Sequence, residues 1–518
     1  MELLKRTIHR NDVRQEGQLQ TILEEDVNLP ETKPDVGTIC MERGRIVTEE
    51  VRPMTDAVTL RGKLVFSVLY HTQEYGGRLE CLEGKIPFEE KIRMEGVTPS
   101  DEVFARGLVE DLTVTMINSR KLSVQSIVTL EAVSESVWDE EVPVDALPSD
   151  REDVQVRQVP MEYTEVCLCQ KDAWRIREEI TLPAGYANLS RILWKDVSLG
   201  EMNFRLGEEK LIIQGEVKVF VLYEGDDGEP VIYETVLEET SEIACPGCRE
   251  GETLDVRYGL SQWELTPGED EDGEMRRLGL DATTDLTICV YEEKQVDAVT
   301  DIYGVKQDYL EEKRKVGLRR LIRSVTGKTK VSGQITLEGG AKVTSLVHSE
   351  AQLGPVEVTP GEGGVNLRGS LCVKILYVTG DEEKPYGCMR KTLPFSYFLE
   401  IPGMTGEETP ERVQAVTEQL GVSMMDSEEM DLKAILSFMV TVFQEDEAQV
   451  LSAVTELPAD EEKMAALPGM AIHVVQPGEG LWDVGKRYYQ PIHSLMEMNG
   501  LTDEEVLPGQ KLLIVKGV

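Results

Sequence analysis

"LRGKLVFSVLY" at 60–70, "IQGEVKVFVLY" at 213–223 and "LRGSLCVKILY" at 367–377 are three versions of one phrase, and their spacing constrains the fold more than any other property of the chain. Their glycines, Gly62, Gly215 and Gly369, lie 153 and then 154 residues apart, and Tyr70, Tyr223 and Tyr377 each follow eight residues later. A solenoid unit runs to about 20–45 residues, so a period near 150 gives each copy enough chain to bury an interior of its own. The 518 residues therefore hold three such units and a remainder.

The phrase itself reads as a strand. Val58, Leu60, Gly62, Leu64, Phe66, Val68 and Tyr70 share one parity, as do Ile213 to Tyr223 and Leu367 to Tyr377, so one face meets a core. A glycine recurring on that buried face marks a bulge or the close approach of another backbone. Further anchors keep register: Leu29-Pro30 and Leu182-Pro183 stand 33 residues before their glycines, and Leu337 stands 32 before Gly369. Between the anchors come Val36, Ile39, Cys40; Leu189, Ile192, Leu193; and Val343, Leu346, Val347, each at i, i+3, i+4. That spacing predicts a short helix in each copy. Downstream, "LTVTMINSRKLSV" at 112–124 and "LGVSMMDSEEMDL" at 420–432 match as hairpins, and "ELTPGEDEDGEMRRLGL" is the same hairpin with a longer acidic tip.

The expected architecture is multidomain and mainly β: tandem β-rich repeats at 1–150, 151–303 and 304–456, each with one short helix, an acidic linker at 457–470 and a distinct module at 471–518. "VDALPSD" at 144–150 and "VDAVTD" at 296–301 read as the joints between repeats.

Composition narrows the partners. Hydrophobic residues at 41% suffice for several cores, while 54 Lys+Arg against 96 Asp+Glu give a formal charge of -42, which repels nucleic acid and anionic lipid. Neutral or basic partners are expected, with solubility as the plainer reason for the acidic excess. No stretch reaches the ~18 apolar residues of a membrane span, and the first residues lack a signal-like apolar run. Nine cysteines, an odd number in a long chain, read as reduced thiols of a cytosol. Cys167, Cys169, Cys245 and Cys248 contain enough sulfur for a zinc site, but CxC lacks the usual spacer, and a turn at Pro246-Gly247 is the simpler reading of "CPGC".

Catalytic signatures are missing: no phosphate-binding G-x-x-x-x-G-K-[ST], no H-E-x-x-H and no G-x-S-x-G, with the glycine-rich "TPGEGGVN" at 359–366 reading as a hairpin turn. None of His9, His71, His348, His473 and His493 has a second histidine at metal-ligand spacing. No catalytic residue, metal or cofactor is expected.

From Ile472 the text changes to "IHVVQPGEGLWDVGKRYYQPIHSLMEMNGLTDEEVLPGQKLLIV", patterned as strand, helix, helix, strand. This stretch resembles the LysM domain through Val475, Pro477, Gly478, Leu481, Trp482, Tyr488, Asn499, Leu501, Pro508, Gly509, Gln510, Leu512 and Ile514. The resemblance implies a βααβ (α+β) fold and a shallow groove for N-acetylglucosamine chains between two loops. Carried onto this chain, the binding residues are Gly478, Glu479, Gly480 and Leu481 in the first loop and Leu501, Thr502, Asp503, Glu504 and Pro508 in the second. Where the family commonly has Asp followed by Thr or Ser, this chain has Glu479-Gly480, which removes a capping hydroxyl at a cost of only a few tenths of a kcal/mol. Asp503, Glu504 and Glu505 make the second loop as suited to a basic protein surface as to a sugar.

With the LysM text at its end, the whole chain resembles the SipL-like spore proteins, whose repeats are called SPOCS domains. "LPETKPDV" at 29–36, the three glycine-to-tyrosine strands and the two "VDA" segments carry that resemblance. It implies a morphogenetic adaptor of endospore formers, made in the mother-cell cytoplasm and placed at the forespore or coat surface. There it tethers the coat by binding a coat-basement ATPase of the SpoIVA type and other coat proteins. The alternative is direct binding of cortex or cell-wall peptidoglycan.

Overall fold

The repeated phrase forms the middle strand of an antiparallel sheet in every copy. The structure, a computed structural model, describes residues 1–73, 77–147, 153–337, 342–381 and 384–515. The first repeat contains β1 (Glu2–Asn28), β2 (Val36–Met54), β3 (Ala57–Thr72), β4 (Leu79–Arg93), β5 (Glu102–Asn118) and β6 (Lys121–Leu147), arranged as two sheets, β2-β3-β4 and β1-β6-β5. The second repeats this with β7 (Val154–Thr181), β8 (Leu189–Gly207), β9 (Lys210–Gly225), β10 (Pro230–Ala244), β11 (Thr253–Glu269) and β12 (Met275–Gly304), as β8-β9-β10 and β7-β12-β11. In the third, β13 (Asp308–Thr336), β19 (Glu429–Leu457) and β18 (Thr409–Met424) form one sheet in that order. Its other sheet has β16 (Gly364–Thr379) at the centre, β14 (Val343–Leu353) and β15 (Glu357–Gly361) on one side and β17 (Tyr386–Glu400) on the other. Each pair of sheets closes on its own apolar interior, around Phe66 and Tyr70, Val217 and Tyr223, or Val373 and Phe438.

The recurring glycine sits where the neighbouring strand breaks step. Gly62 and Gly215 oppose register shifts in β2 and β8, and Gly369 lies opposite the gap between β14 and β15. A Cβ on Gly62 would lie 2.4 Å from the Val47 carbonyl oxygen, so the close backbone approach expected from the sequence is present there.

The predicted short helices are corrected. Every helix of the described residues lies beyond Leu457, and the i, i+3, i+4 triplets fall in β2, β8 and β14. Each of these strands carries paired register shifts at the same places, between Val36/Thr38 and Ile39/Met41 and at the equivalent residues of the other repeats. A bulge inverts the side-chain alternation, so two bulges convert period 2 into a helix-like spacing. The first two residues of each triplet then enter their own repeat's core, while Cys40, Leu193 and Val347 point into a cluster shared by all three repeats.

That shared cluster makes the repeats a ring rather than beads on a string. Met41, Leu69, Trp194, Leu222, Val347 and Leu376 meet at a pseudo-threefold junction. Beside them, one repeat position supplies Arg43, Asp196 and Glu350, with Arg43 Nη2 2.5 Å from Asp196 and Arg43 Nε 3.5 Å from Glu350. Burial works against ionisation of Asp196, yet Arg43 and His348 hold its carboxyl well below the usual carboxylate range, whereas burial raises Glu350. A second buried knot joins Arg412 of the third repeat to Glu135 of the first at 3.0 Å and Asp255 of the second at 3.2 Å. The ends of the long strands form a stalk around Ile8, Val142, Tyr163, Val296, Val316 and Val450.

The joints expected at the "VDA" segments are corrected too. Val144–Leu147 belong to β6, residues 148–150 lie outside the described residues, and 296–301 lie within β12, with Val296, Ala298 and Val299 buried. Their alternating small apolar residues form the stalk's interior. The expectation of uniformly free thiols changes for one pair: Cys169 and Cys289, directly opposed across β7 and β12, are joined as a disulfide. Cys245 and Cys248 bound a turn with Gly247 at φ +80, in the place where the other repeats have Met94/Val97 and Ile401/Met404, all buried apolar residues. The "CPGC" text is therefore a core-capping turn.

Candidate functional site

After β19 come the short α1 (Glu461–Ala466) and the compact end module: β20 (Met470–Val474), α2 (Leu481–Tyr488), α3 (Ile492–Asn499) and β21 (Lys511–Val515), with β20 antiparallel to β21. Leu481, Val484, Leu495, Leu512 and Ile514 make its core, as helical and strand periodicity require. Gly480 caps α2 without a side chain, and Asp483 accepts a 2.9 Å hydrogen bond from the Gly480 N–H in its place. Tyr489 and Gly500 end the two helices in the left-handed region. Asn499 is more than a turn residue: its amide donates to the Leu495 and Leu513 carbonyls and accepts from the Leu513 N–H at 2.6 Å, tying α3 to β21.

The two sequence-predicted loops lie side by side because Val475 donates to the Gln510 carbonyl at 3.0 Å and Gly509 donates to the Val475 carbonyl at 2.8 Å. Gly478, Thr502, Asp503, Glu504 and Pro508 are exposed, and Gly480 and Leu501 are half-buried. Leu481 is only 1% exposed and belongs to the core. The Glu479 carboxylate is also turned inward, where it accepts from the Gln476 N–H at 2.9 Å, meets His473 Nε2 at 2.7 Å and pairs with Arg487 Nη1 at 2.7 Å. Burial pushes its pKa up, but these partners outweigh it and hold the carboxyl below its ordinary value. Glu479 thus closes the first loop on itself.

Two features escaped the sequence reading. The outer face of β20 presents Met470, Ile472 and Val474 at 66%, 69% and 41% exposure, a continuous apolar stripe. Both parities of "MAIHVV" are largely apolar, so the alternation does not say which face is inside. The second feature is a latch between the module and the stalk. Trp482 stands edge-on to Tyr303 at 4.8 Å and donates through Nε1 to Asp301 at 2.9 Å, and Lys486 donates to the same carboxylate at 2.7 Å. Tyr489 donates to Asp308 and Tyr303 to the Gln490 carbonyl, each at 2.8 Å. Gly485 permits this approach, since a Cβ there would lie 2.4 Å from the Tyr303 hydroxyl. Asp301 sits in the segment first read as a joint, and only the tertiary fold assigns it this role.

The sulfurs weighed for zinc do not converge as a set of four, because Cys169 turns to Cys289 and Cys245 and Cys248 cap a core. Among the described residues, two buried groups with metal-ligand atoms in reach, Glu135/Cys169/Cys289 and Asp196/His348/Glu350, already include a carboxylate paired to arginine. No helix of the described residues is long and apolar enough to cross a membrane.

Comparison with known proteins finds two families in the chain. The profile of the SipL SPOCS domain matches residues 35–117, 188–266 and 342–425, and that of the LysM domain matches 473–515. A curated protein of Bacillus subtilis (strain 168), named "Putative sporulation-specific glycosylase YdhD", is 42% identical over 45 residues, which is 9% of this chain and 11% of that protein. No solved structure matches. Both matched families are binding domains without catalytic function. With three SPOCS regions in its three repeats and a LysM domain after them, the chain belongs to the SipL-like proteins.

Proposed function

We propose that the chain is a non-enzymatic adaptor of spore morphogenesis that tethers the coat to the developing forespore, with the LysM module docking on a protein partner. The apolar stripe of Met470, Ile472 and Val474 carries this reading, because an exposed apolar surface on a chain with a net charge of -42 favours a protein partner over a glycan. Asp503, Glu504 and Glu505 beside the loops add charge suited to a basic rim on that partner. The expected partner is a coat-basement ATPase of the SpoIVA type, together with other coat proteins. The expected place is the mother-cell side of the forespore surface. The SPOCS match and the sporulation-specific name of the Bacillus relative support the setting.

Peptidoglycan binding is the second reading, favoured by the LysM match and by the adjoining loops at Gly478 and Thr502–Pro508. The two separate when the full-length chain, its Ile472→Glu variant and its Thr502→Trp variant are assayed in parallel against the coat ATPase and purified peptidoglycan. The adaptor reading expects ATPase binding that Ile472→Glu weakens at least tenfold and Thr502→Trp leaves intact. Retention on peptidoglycan lost in Thr502→Trp, with no ATPase binding by any form, reverses the ranking.

A further inference from the structure

The three repeats supply their own control for one surface. In each, the glycine strand is flanked by an outer strand, β4, β10 or β17, that pairs on one side only. Unpaired strand edges invite other strands, and proteins blunt them with proline, mixed charge or a covering element. β4 has Pro87 opposite Lys63, and β17 has Pro394 opposite Ser370. The same register position in β10 is Glu238, opposite Glu216. β4 and β17 are also tied to neighbouring repeats, Glu80 by Arg191 of β8 and Arg390 by Asp111 of β5. Among the described residues no hydrogen bond or ion pair joins β10 to another repeat; within its own repeat β7 approaches it at Glu239, through Glu178, and at its end, where Gln170 donates to the Ala244 carbonyl, which leaves Ile232 to Glu238 as the open part of the edge.

The side chains of the open part of β10 alternate in kind. Ile232 and Val236 are exposed at 37% and 52%, and Glu234 and Glu238, on the same face, are exposed carboxylates that make no ion pair among the described residues. The outward residues of β4 include Lys85, Lys91 and Arg93, which lack this uniform sign. Because Pro87 and Pro394 occupy the position of Glu238, the N–H there faces away from the paired neighbour, and the N–H and C=O groups of Ile232, Glu234 and Val236 share that edge.

We infer that the β10 edge of the second repeat is a docking site for an extended segment of a partner protein, which adds to the sheet as a fourth strand and alternates apolar and basic residues on its outward face. Main-chain pairing supplies the attachment, and cross-strand contacts to Ile232, Glu234, Val236 and Glu238 supply the selectivity. Antiparallel self-pairing centred on Val236 sets Glu234 against Glu238, like charge against like, which favours a basic partner strand over a second copy in that register. This site is separate from the LysM stripe and does not depend on the role proposed for it.

The test uses the full-length chain and a short acetylated, amidated peptide with threonine at odd positions and valine and lysine by turns at even ones. A second version of the peptide is N-methylated along one edge so that it cannot pair. At physiological salt the first peptide binds the wild-type chain and the N-methylated one does not. Glu238→Pro, the residue that both other repeats carry, weakens binding at least tenfold without lowering the melting temperature by more than a few degrees. Should that variant misfold, Glu234→Lys/Glu238→Lys decides, again with at least a tenfold loss. Absence of peptide binding, equal binding by the N-methylated peptide, retention of affinity in the variants, or self-association through this edge in sedimentation overturns the inference.

Discussion

Replacing Trp482 by alanine tests the latch and the stability of the end module together. The side chain is 7% exposed, packs into the LysM core, stands edge-on to Tyr303 at 4.8 Å and donates to Asp301 at 2.9 Å. Truncating a buried tryptophan costs about 3–5 kcal/mol. A module of this size has only about 3–5 kcal/mol of its own. Trp482→Ala therefore unfolds the module while the SPOCS ring stays folded, and calorimetry shows its transition lost and the main one retained. Trp482→Phe keeps most of the packing and removes only the N–H, so the module stays folded and its latch weakens by about 1–2 kcal/mol. A double-mutant cycle of Trp482→Phe with Asp301→Asn isolates that bond. Native-like protection of α2 amides in Trp482→Ala, or a coupling energy below about 0.3 kcal/mol in the cycle, refutes the reasoning.

Three further outcomes rest on the packing and charge of particular residues. Gly62→Ala pushes a Cβ onto the Val47 carbonyl and costs about 1–3 kcal/mol, whereas Gly215→Ala meets the flexible end of Met202 and costs less; urea midpoints rank the two. Arg43→Leu leaves Asp196 and Glu350 buried without their cation and destabilises by about 3–5 kcal/mol at neutral pH. Part of that loss is regained as falling pH protonates the two carboxyls, the reverse of the wild-type trend at Asp196, whose lowered pKa contributes stability that is lost on acidification. The first LysM loop depends on pH in the same sense: the lowered Glu479 carboxyl contributes stability above its unfolded pKa of about 4.3, and loop amides lose protection as pH drops below it.

The repeats were legible because one strand phrase, its glycine and its anchors return at a constant interval. The end module was legible because its punctuation, Gly478, Asn499-Gly500 and Pro508-Gly509, falls between periodic segments. What misled was parity. Bulges in β2, β8 and β14 turned a two-residue period into a helical one, and no residue type announces a bulge whose apolar side chains all find cores. The "VDA" segments looked polar enough for joints, yet Ala146, Ala298 and Val299 are buried where long strands converge. At the candidate site, the sequence located the loops but not the inward turn of Glu479, which depends on His473 and Arg487 arriving from β20 and α2. The apolar stripe stayed hidden for the reason given above, and the latch joins residues more than 180 positions apart.

The shared junction is the claim on which the arrangement of every surface depends, and native-state hydrogen exchange on Trp194→Ala addresses it directly. Trp194 of the second repeat packs with Leu69 of β3, Leu222 of β9 and Leu376 of β16. A common core predicts faster amide exchange in β3 and β16 as well as β9. Acceleration confined to β8, β9 and β10 would mean that the three repeats stand apart, and would contradict the ring.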